Sequence, residues 1–149
     1  SRKEKELLKN TITMYGADIL LPDMNAAAAL NQIANIEKVL QARREIAEIY
    51  SQAVMKTRNR TLSQKNDFIN VYPSFPVMAE TGTKEIKKYA SKKGVEVIEA
   101  FENSIISKLN ISDCPEAKNL NLRCLLFPLY PNMGKSNAEK VVKILSTLP

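Results

Sequence analysis

The hydrophobic pattern of this 149-residue chain predicts helices that alternate with short strands. Apolar residues recur every three or four positions over residues 3–14, and again from Pro22 to Lys56, as in amphipathic helices. No glycine or proline interrupts residues 23–72, so the second stretch is predicted to be one long helix or two abutting helices. Its alanine run, Ala26–Ala29, serves either helix formation alone or the close approach of another backbone.

Three later stretches have the pattern of strands. Residues 68–78, "FINVYPSFPVM", are rich in aromatic and β-branched side chains, but their prolines predict an edge or bulged strand. Residues 95–101, "VEVIEAF", alternate between apolar and polar positions. Residues 123–131, "RCLLFPLYP", form an apolar run that two prolines bring to an end, which predicts a buried strand and a turn. The polar residues 58–67 are predicted to form a loop.

Helix signals lie between and after these strands. Residues 83–93 have an amphipathic pattern that Gly94 is expected to end, and Asp113 is placed to cap a short helix. Ser136 and Glu139 have the spacing of a capping box at the start of a last helix. This order predicts one two-layer α/β (α+β) domain over residues 1–149, with long N-terminal helices and a small three-stranded sheet covered by helices.

Composition narrows the possible functions. The net charge of +6 is spread evenly, since residues 1–75 hold 11 basic and 8 acidic side chains and residues 76–149 hold the same numbers. An even distribution indicates a solvated basic surface rather than a nucleic-acid arm. The absence of histidine excludes Ser-His-Asp and Cys-His nucleophiles and paired-histidine zinc sites. The four glycines form neither a dinucleotide-binding nor a P-loop motif, and no metal site is expected.

The two cysteines and the lack of long apolar stretches bear on the compartment. Cys114 and Cys124 are predicted to be buried, unpaired thiols of a reducing compartment. The charged first residues carry no signal-peptide pattern, and no stretch approaches 18 uncharged apolar residues. A cytoplasmic location without a membrane span is therefore expected.

Several motifs, in order, resemble the C-terminal region of the DegT/DnrJ/StrS pyridoxal-phosphate sugar aminotransferases. The resemblance runs from about Lys5 to Leu148, and the helix start and the tail are its specific parts. The motifs are "MYG" at 14–16, "LPDMNAAAALNQI" at 21–33, "ARREIAEIY" at 42–50, "VYP" at 71–73 and "CPEAKNLNLRCLLFPLYPNMGKSNAEKVVKIL" at 114–145.

The resemblance implies the small domain of a fold-type I aminotransferase whose large cofactor-lysine domain is absent from this chain. No cofactor-lysine motif occurs here, so no catalytic residue, cofactor or metal is assigned to the chain itself, and pyridoxal phosphate is expected only in a longer parent protein. The family's phosphate-contact positions fall on Asp18 and Leu20, which do not match, because a carboxylate repels a phosphate and a leucine cannot pair with one. The family's substrate-loop histidine is also missing near Gly94.

The expected role is to close the active site over a nucleotide-sugar substrate and to support a homodimer. The interface candidates are Leu20, Leu21, Met24, Ala26 and Ala27. One alternative is a degenerate interaction module that keeps the scaffold without the chemistry. A weaker alternative is a basic RNA-binding domain that uses Tyr72 and Phe75 as stacking faces, although the low aromatic content argues against nucleic acid as a partner.

Overall fold

The computed structural model describes residues 2–3, 5–7, 9, 22–62, 69–80, 82–105 and 114–149. The chain divides into two compact units, Ser1–Lys38 and Val39–Pro149. The described residues before Pro22 are helical, in agreement with the helix predicted there. The predicted stop at Gly16, the mismatched positions Asp18 and Leu20, the interface candidate Leu21 and the predicted cap Asp113 lie outside the described residues.

The long apolar stretch forms two abutting helices, which was one of the two predicted arrangements. Helix α1 runs from Asp23 to Ala34, and helix α2 runs from Ile36 to Val54. Proline at position 22 precedes α1, as its fixed φ angle favours. Helix α1 buries no residue, whereas α2 buries four along one face. They are Ala47, Tyr50, Ala53 and Val54.

The sheet is antiparallel and has four strands in the order β1-β2-β4-β3. Their bounds are Arg60–Thr61 for β1, Phe75–Met78 for β2, Ile98–Glu99 for β3 and Cys124–Phe127 for β4. The predicted α/β class is confirmed, but the sheet has one more strand than predicted. Strand β1 lies in the segment predicted to be a loop, because a two-residue strand formed by pairing with β2 has no periodicity of its own.

The prediction that residues 68–78 form an edge or bulged strand is wrong for β2, which lies between β1 and β4. Pro76 is opposite Leu126 in the register with β4. Ala79 N donates to Arg123 O at 2.9 Å, so by antiparallel alternation Pro76 occupies a position without a hydrogen bond to β4. On the other side β1 pairs only with Val77 and Met78, so no ladder bond needs the missing N–H.

Three further helices complete the described fold. They are α3 at Thr83–Lys92, α4 at Pro115–Arg123 and α5 at Lys135–Leu145. Gly94 has a φ of 71° just after α3, which confirms the predicted stop. The predicted capping box is wrong, because α5 begins at Lys135, its N-cap is Gly134 at φ 74°, and no side chain caps it. Ser136 is therefore already inside the helix.

The core lies between one face of the sheet and helices α2, α3 and α5. Phe75 and Val77 of β2 and Leu125 and Phe127 of β4 are at most 1% exposed. The helices contribute Tyr50, Val54, Ile86, Ala90, Val141, Ile144 and Leu145 to the same cluster. Both cysteines are unpaired, as predicted, but only Cys124 is buried; Cys114 precedes α4 and is exposed, contrary to expectation.

Candidate functional site

Two proline turns meet at one end of the sheet. Strand β2 begins at Phe75 and strand β4 ends at Phe127, and these residues pair, so the turn before β2 and the turn after β4 lie at the same edge. We call the two segments, Tyr72–Ser74 and Pro128–Met133, the turn edge. Val71, which precedes it, and Tyr130 within it are 52% and 45% exposed. The turn edge thus presents apolar and aromatic groups to the surroundings.

The paired arginines of α2 hold the turn before β2. Arg43 Nη1 donates to Tyr72 O at 2.6 Å and lies 3.5 Å from Leu129 O, so a single guanidinium reaches both turns. Arg44 Nε donates to Asn70 O at 3.4 Å. Both Arg43 contacts come from one nitrogen, Nη1, which carries two N–H donors. The "ARR" segment therefore has a structural role in building this edge.

Tyr72 has an unusual backbone conformation. Its φ angle of 43° is the only positive value among the described non-glycine residues. Bulky L-residues avoid this region because the side chain crowds the backbone, at a cost of about 1–3 kcal/mol. Two contacts hold Tyr72 in this conformation, the hydrogen bond from Arg43 to its carbonyl and the stacking of its ring on Phe75.

Tyr50 anchors the turn after β4 from beneath. Its hydroxyl donates toward Met133 Sδ at 3.1 Å and Pro128 O at 3.4 Å, and its ring meets Phe75 edge-on with centroids 5.3 Å apart. Burial, and then the nearby Tyr130 hydroxyl, raise the pKa of Tyr50 above its usual value. The hydroxyl therefore remains protonated and available as a donor.

The suggested RNA-stacking faces are not available. Phe75 is 1% exposed and belongs to the core, so no base can stack on it. Tyr72 stacks on Phe75 with centroids 6.4 Å apart and an interplanar angle of 28°, and it packs against the core cluster. The aromatic signal in residues 68–78 thus reflects packing, and this basis for RNA binding is wrong.

The predicted interface residues that the structure describes lie on α1. Met24 is 83% exposed, Ala27 is exposed and Ala26 is half-buried. At 100° per residue, Ala26 shares a side of the helix with two residues that were not predicted, Leu30 and Ile33. These two side chains are 68% and 64% exposed. Met24 lies on the opposite side of the helix, and Ala27 lies between the two sides. The three-to-four spacing of Leu30 and Ile33 was the sequence feature from which this apolar side could have been predicted.

Ionisable groups in the described part of the chain do not form a site for the cofactor. No lysine is among the buried residues of the described chain. A lysine that forms an imine needs a lowered pKa, which burial or a cationic pocket supplies. Lys87 instead pairs with Glu99 at 3.0 Å, and Lys140 donates to Gly94 O. The described residues therefore do not fit covalently held pyridoxal phosphate.

Comparison with known proteins identifies the relatives of the chain. The model of the DegT/DnrJ/EryC1/StrS aminotransferase family matches residues 1–146. The fold is similar to that of the aminotransferase TlmJ from Streptoalloteichus hindustanus, with a TM-score of 0.74 and 19% identity over 85% of this chain and 36% of that chain. The sugar aminotransferase CalS13 from Micromonospora echinospora gives a TM-score of 0.73 and 14% identity over 85% and 35%.

A third similar structure is that of S. venezuelae DesV in complex with a ketimine intermediate. Its TM-score is 0.75 and its identity is 17%, over 85% of this chain and 36% of that chain. The chain thus spans little more than a third of the length of these relatives. Among the described helices, none is long and apolar enough to cross a membrane.

Proposed function

Because the chain belongs to the DegT/DnrJ/EryC1/StrS aminotransferase family, we propose that it is the small C-terminal domain of a pyridoxal-phosphate-dependent aminotransferase acting on a nucleotide-linked sugar. A large N-terminal domain, present in a longer parent protein, supplies the lysine and most cofactor contacts. When bound there, pyridoxal phosphate supplies the electron sink for amine transfer. The present chain closes the active site and supports a homodimer in the cytoplasm.

The observation that carries this proposal is that the matched motifs meet in space. Arg43 and Tyr50 of the "ARREIAEIY" helix contact the "VYP" turn at Tyr72 and the "FPLYP" turn at Pro128 and Leu129. Three separate segments that carry the resemblance are therefore in contact with one another. A surface that closes over a substrate needs such fixed turns, because catalytic geometry tolerates displacements of only about 0.5 Å.

The test is cofactor trapping in a protein that joins this chain to its cofactor-binding part. After incubation with pyridoxal phosphate, borohydride reduction is expected to fix the cofactor to a lysine, and peptide mapping should place that lysine outside the present chain. Amine transfer from an amino acid to a nucleotide-linked keto sugar would establish the activity. Attachment to a lysine of this chain would contradict the assignment of its role.

The alternative is a degenerate interaction module on the same scaffold. It is favoured by Asp18 and Leu20, which replace the phosphate-contact residues that the resemblance implies. A parent protein that folds and assembles but fixes no cofactor would support this second function. Cofactor trapping therefore distinguishes the aminotransferase domain from the interaction module, and it does not require the sugar substrate to be known.

The proposed dimer uses the start of α1 as its contact. Leu20, Leu21, Met24, Ala26 and Ala27 are proposed to lie at or near the partner subunit. Helix α1 supports this proposal because it buries no residue within the described chain, and its small side chains allow close backbone approach. The exposed Leu30 extends the apolar surface by one turn.

We expect the chain to sediment as a dimer at tens of micromolar, and Ala27→Glu to shift it toward monomer by at least about tenfold in dissociation constant, since a buried unpaired charge is costly. Ile49→Glu, at a 52% exposed position of α2, is the control and should leave association unchanged. Dissociation by Leu30→Glu but not by Ala27→Glu would move the contact to the Leu30 side. A monomeric parent protein would contradict the dimer.

A further inference from the structure

A tyrosine joins the end of helix α3 to the end of helix α5. Tyr89 is half-buried against the core cluster, and its hydroxyl oxygen lies 2.7 Å from Thr147 Oγ1, just after α5. Lys93, which follows α3, donates from Nζ to the same hydroxyl. The ammonium group of Lys93 also lies over the Tyr89 ring, 4.3 Å from its centroid. The phenol oxygen therefore has a cation and a second hydroxyl as direct neighbours.

The hydrogen bonds around Tyr89 can support its ionised form. While the phenol is neutral, it donates to Thr147 Oγ1, and Thr147 donates its own hydrogen to Lys143 O at 2.7 Å. After ionisation the Thr147 hydrogen can turn to the phenolate, because Lys143 O also accepts a hydrogen bond from Ser146 Oγ at 3.1 Å. The phenolate then has two donors, Lys93 and Thr147. Donors to the charged form of a group favour its ionisation.

The charges on the two helices also favour the phenolate. The charged residues at one-turn or two-turn spacing from Tyr89 along α3 and from Thr147 along α5 are Glu85, Lys92, Lys93, Glu139, Lys140 and Lys143. Lysines thus outnumber glutamates around the phenol oxygen, and Lys140 Nζ donates to Gly94 O, next to Lys93 in the chain. The hydrogen bond from Lys93, followed by that from Thr147, lowers the pKa of Tyr89 below its usual value, although burial acts in the opposite direction.

We propose that Tyr89 is an acyl-acceptor site, a nucleophilic phenol that takes an acyl group from an activated donor such as a thioester, an acyl phosphate or an acyl imidazole. The phenolate oxygen attacks the acyl carbon, and the new O–C bond forms as the bond from that carbon to the leaving group breaks. The phenol proton ends on the departing group, and nothing is oxidised or reduced. Lys93 and Thr147 activate the nucleophile by stabilising its anion. This inference does not depend on the proposed aminotransferase function.

Accessibility and activation make opposite predictions for two tyrosines of the chain. Tyr130 is 45% exposed, whereas Tyr89 is half-buried, so exposure alone would make Tyr130 react first. With N-acetylimidazole at neutral pH, we expect Tyr89 to be acetylated at least about threefold faster than Tyr130, because more of it is phenolate. Peptide mapping before and after hydroxylamine identifies the site, since hydroxylamine removes acetyl groups from tyrosine oxygen but not from lysine nitrogen.

Two lysines allow a matched test. Lys93→Met removes the cation at the phenol and is expected to slow acetylation of Tyr89 at least about threefold relative to Tyr130. Lys88→Met is the control and should leave the ratio unchanged, because Lys88 is exposed and lies about 100° away from Tyr89 around α3. Acetylation of the fully buried Tyr50 would reveal any variant that unfolds.

A pH series on the wild-type chain tests the inference without any substitution. A lowered pKa is an advantage only while other phenols remain protonated, so the ratio of Tyr89 to Tyr130 acetylation is expected to fall as the pH rises toward about 10, the usual phenol pKa. A ratio that stays constant with pH would show that access alone controls the reaction and would overturn the inference. Faster acetylation of Tyr130 at neutral pH, or equal slowing by Lys93→Met and Lys88→Met in folded protein, would overturn it as well.

Discussion

Tyr50→Ala is expected to lower the free energy of unfolding by about 3–5 kcal/mol, the range for removing a large buried aromatic side chain. Tyr50 is fully buried, contacts Phe75 edge-on at 5.3 Å, and supports the turn after β4 through Met133 and Pro128. Truncation removes the ring from the centre of the core and leaves both turn contacts without their donor. Denaturant unfolding of wild type and variant measures the change.

Tyr50→Phe separates the ring from the hydroxyl. The two hydroxyl contacts are a thioether at 3.1 Å and a carbonyl at 3.4 Å, both weaker than an ideal hydrogen bond. Their loss is expected to cost about 1 kcal/mol. A loss for Tyr50→Phe as large as that for Tyr50→Ala would show that the hydroxyl, and not packing, dominates at this position.

Local signals in the sequence were sufficient for most of the helices. Pro22 and Gly94 lie where the backbone begins or leaves a helix, and the amphipathic pattern of residues 83–93 agrees with α3 to within one residue. These features depend on neighbours within a few positions. The Ser136 capping box failed because the N-cap is Gly134, at positive φ, so α5 starts two residues earlier than predicted, and motif spacing does not report that geometry.

The sheet depended on partners far along the chain. Strand β1 and the central position of β2 arise from pairing between residues far apart along the chain, such as Arg60 with Met78. Proline in β2 suggested an edge, yet Pro76 is tolerated inside because neither neighbour needs its N–H. Whether a proline is tolerated in a central strand depends on the register of strand pairing, and the register cannot be read from one sequence.

Only part of the turn edge could be predicted from the sequence. The "ARREIAEIY" and "VYP" motifs were recognised through the resemblance, but their contact was not, because Arg43 binds the backbone carbonyl of Tyr72 and a carbonyl carries no residue signature. Leu30 and Ile33 were visible as a spacing and were not assigned to a surface. The same spacing describes a buried stripe and an exposed one until the packing is known.

Arg43→Met is expected to cost about 2–3 kcal/mol of unfolding free energy. Methionine keeps much of the aliphatic length but removes the donors, so the charged hydrogen bond to Tyr72 O at 2.6 Å is lost, an interaction of about 1.5–3 kcal/mol. Tyr72 then holds its φ of 43° with its ring contact alone, without the hydrogen bond to its carbonyl. The turn is expected to relax, and hydrogen exchange should rise at residues 70–75.

Arg44→Met is the matched control for this prediction. Its single bond to Asn70 O is long, at 3.4 Å, and lies at an exposed position, so about 0.5 kcal/mol or less is expected. Arg43→Lys should recover part of the loss, because a single nitrogen, Nη1, makes both contacts and a lysine ammonium also carries several donors on one nitrogen. Equal losses for the two methionine variants would show that positive charge near the turn matters and that the hydrogen bond from Arg43 to Tyr72 O does not.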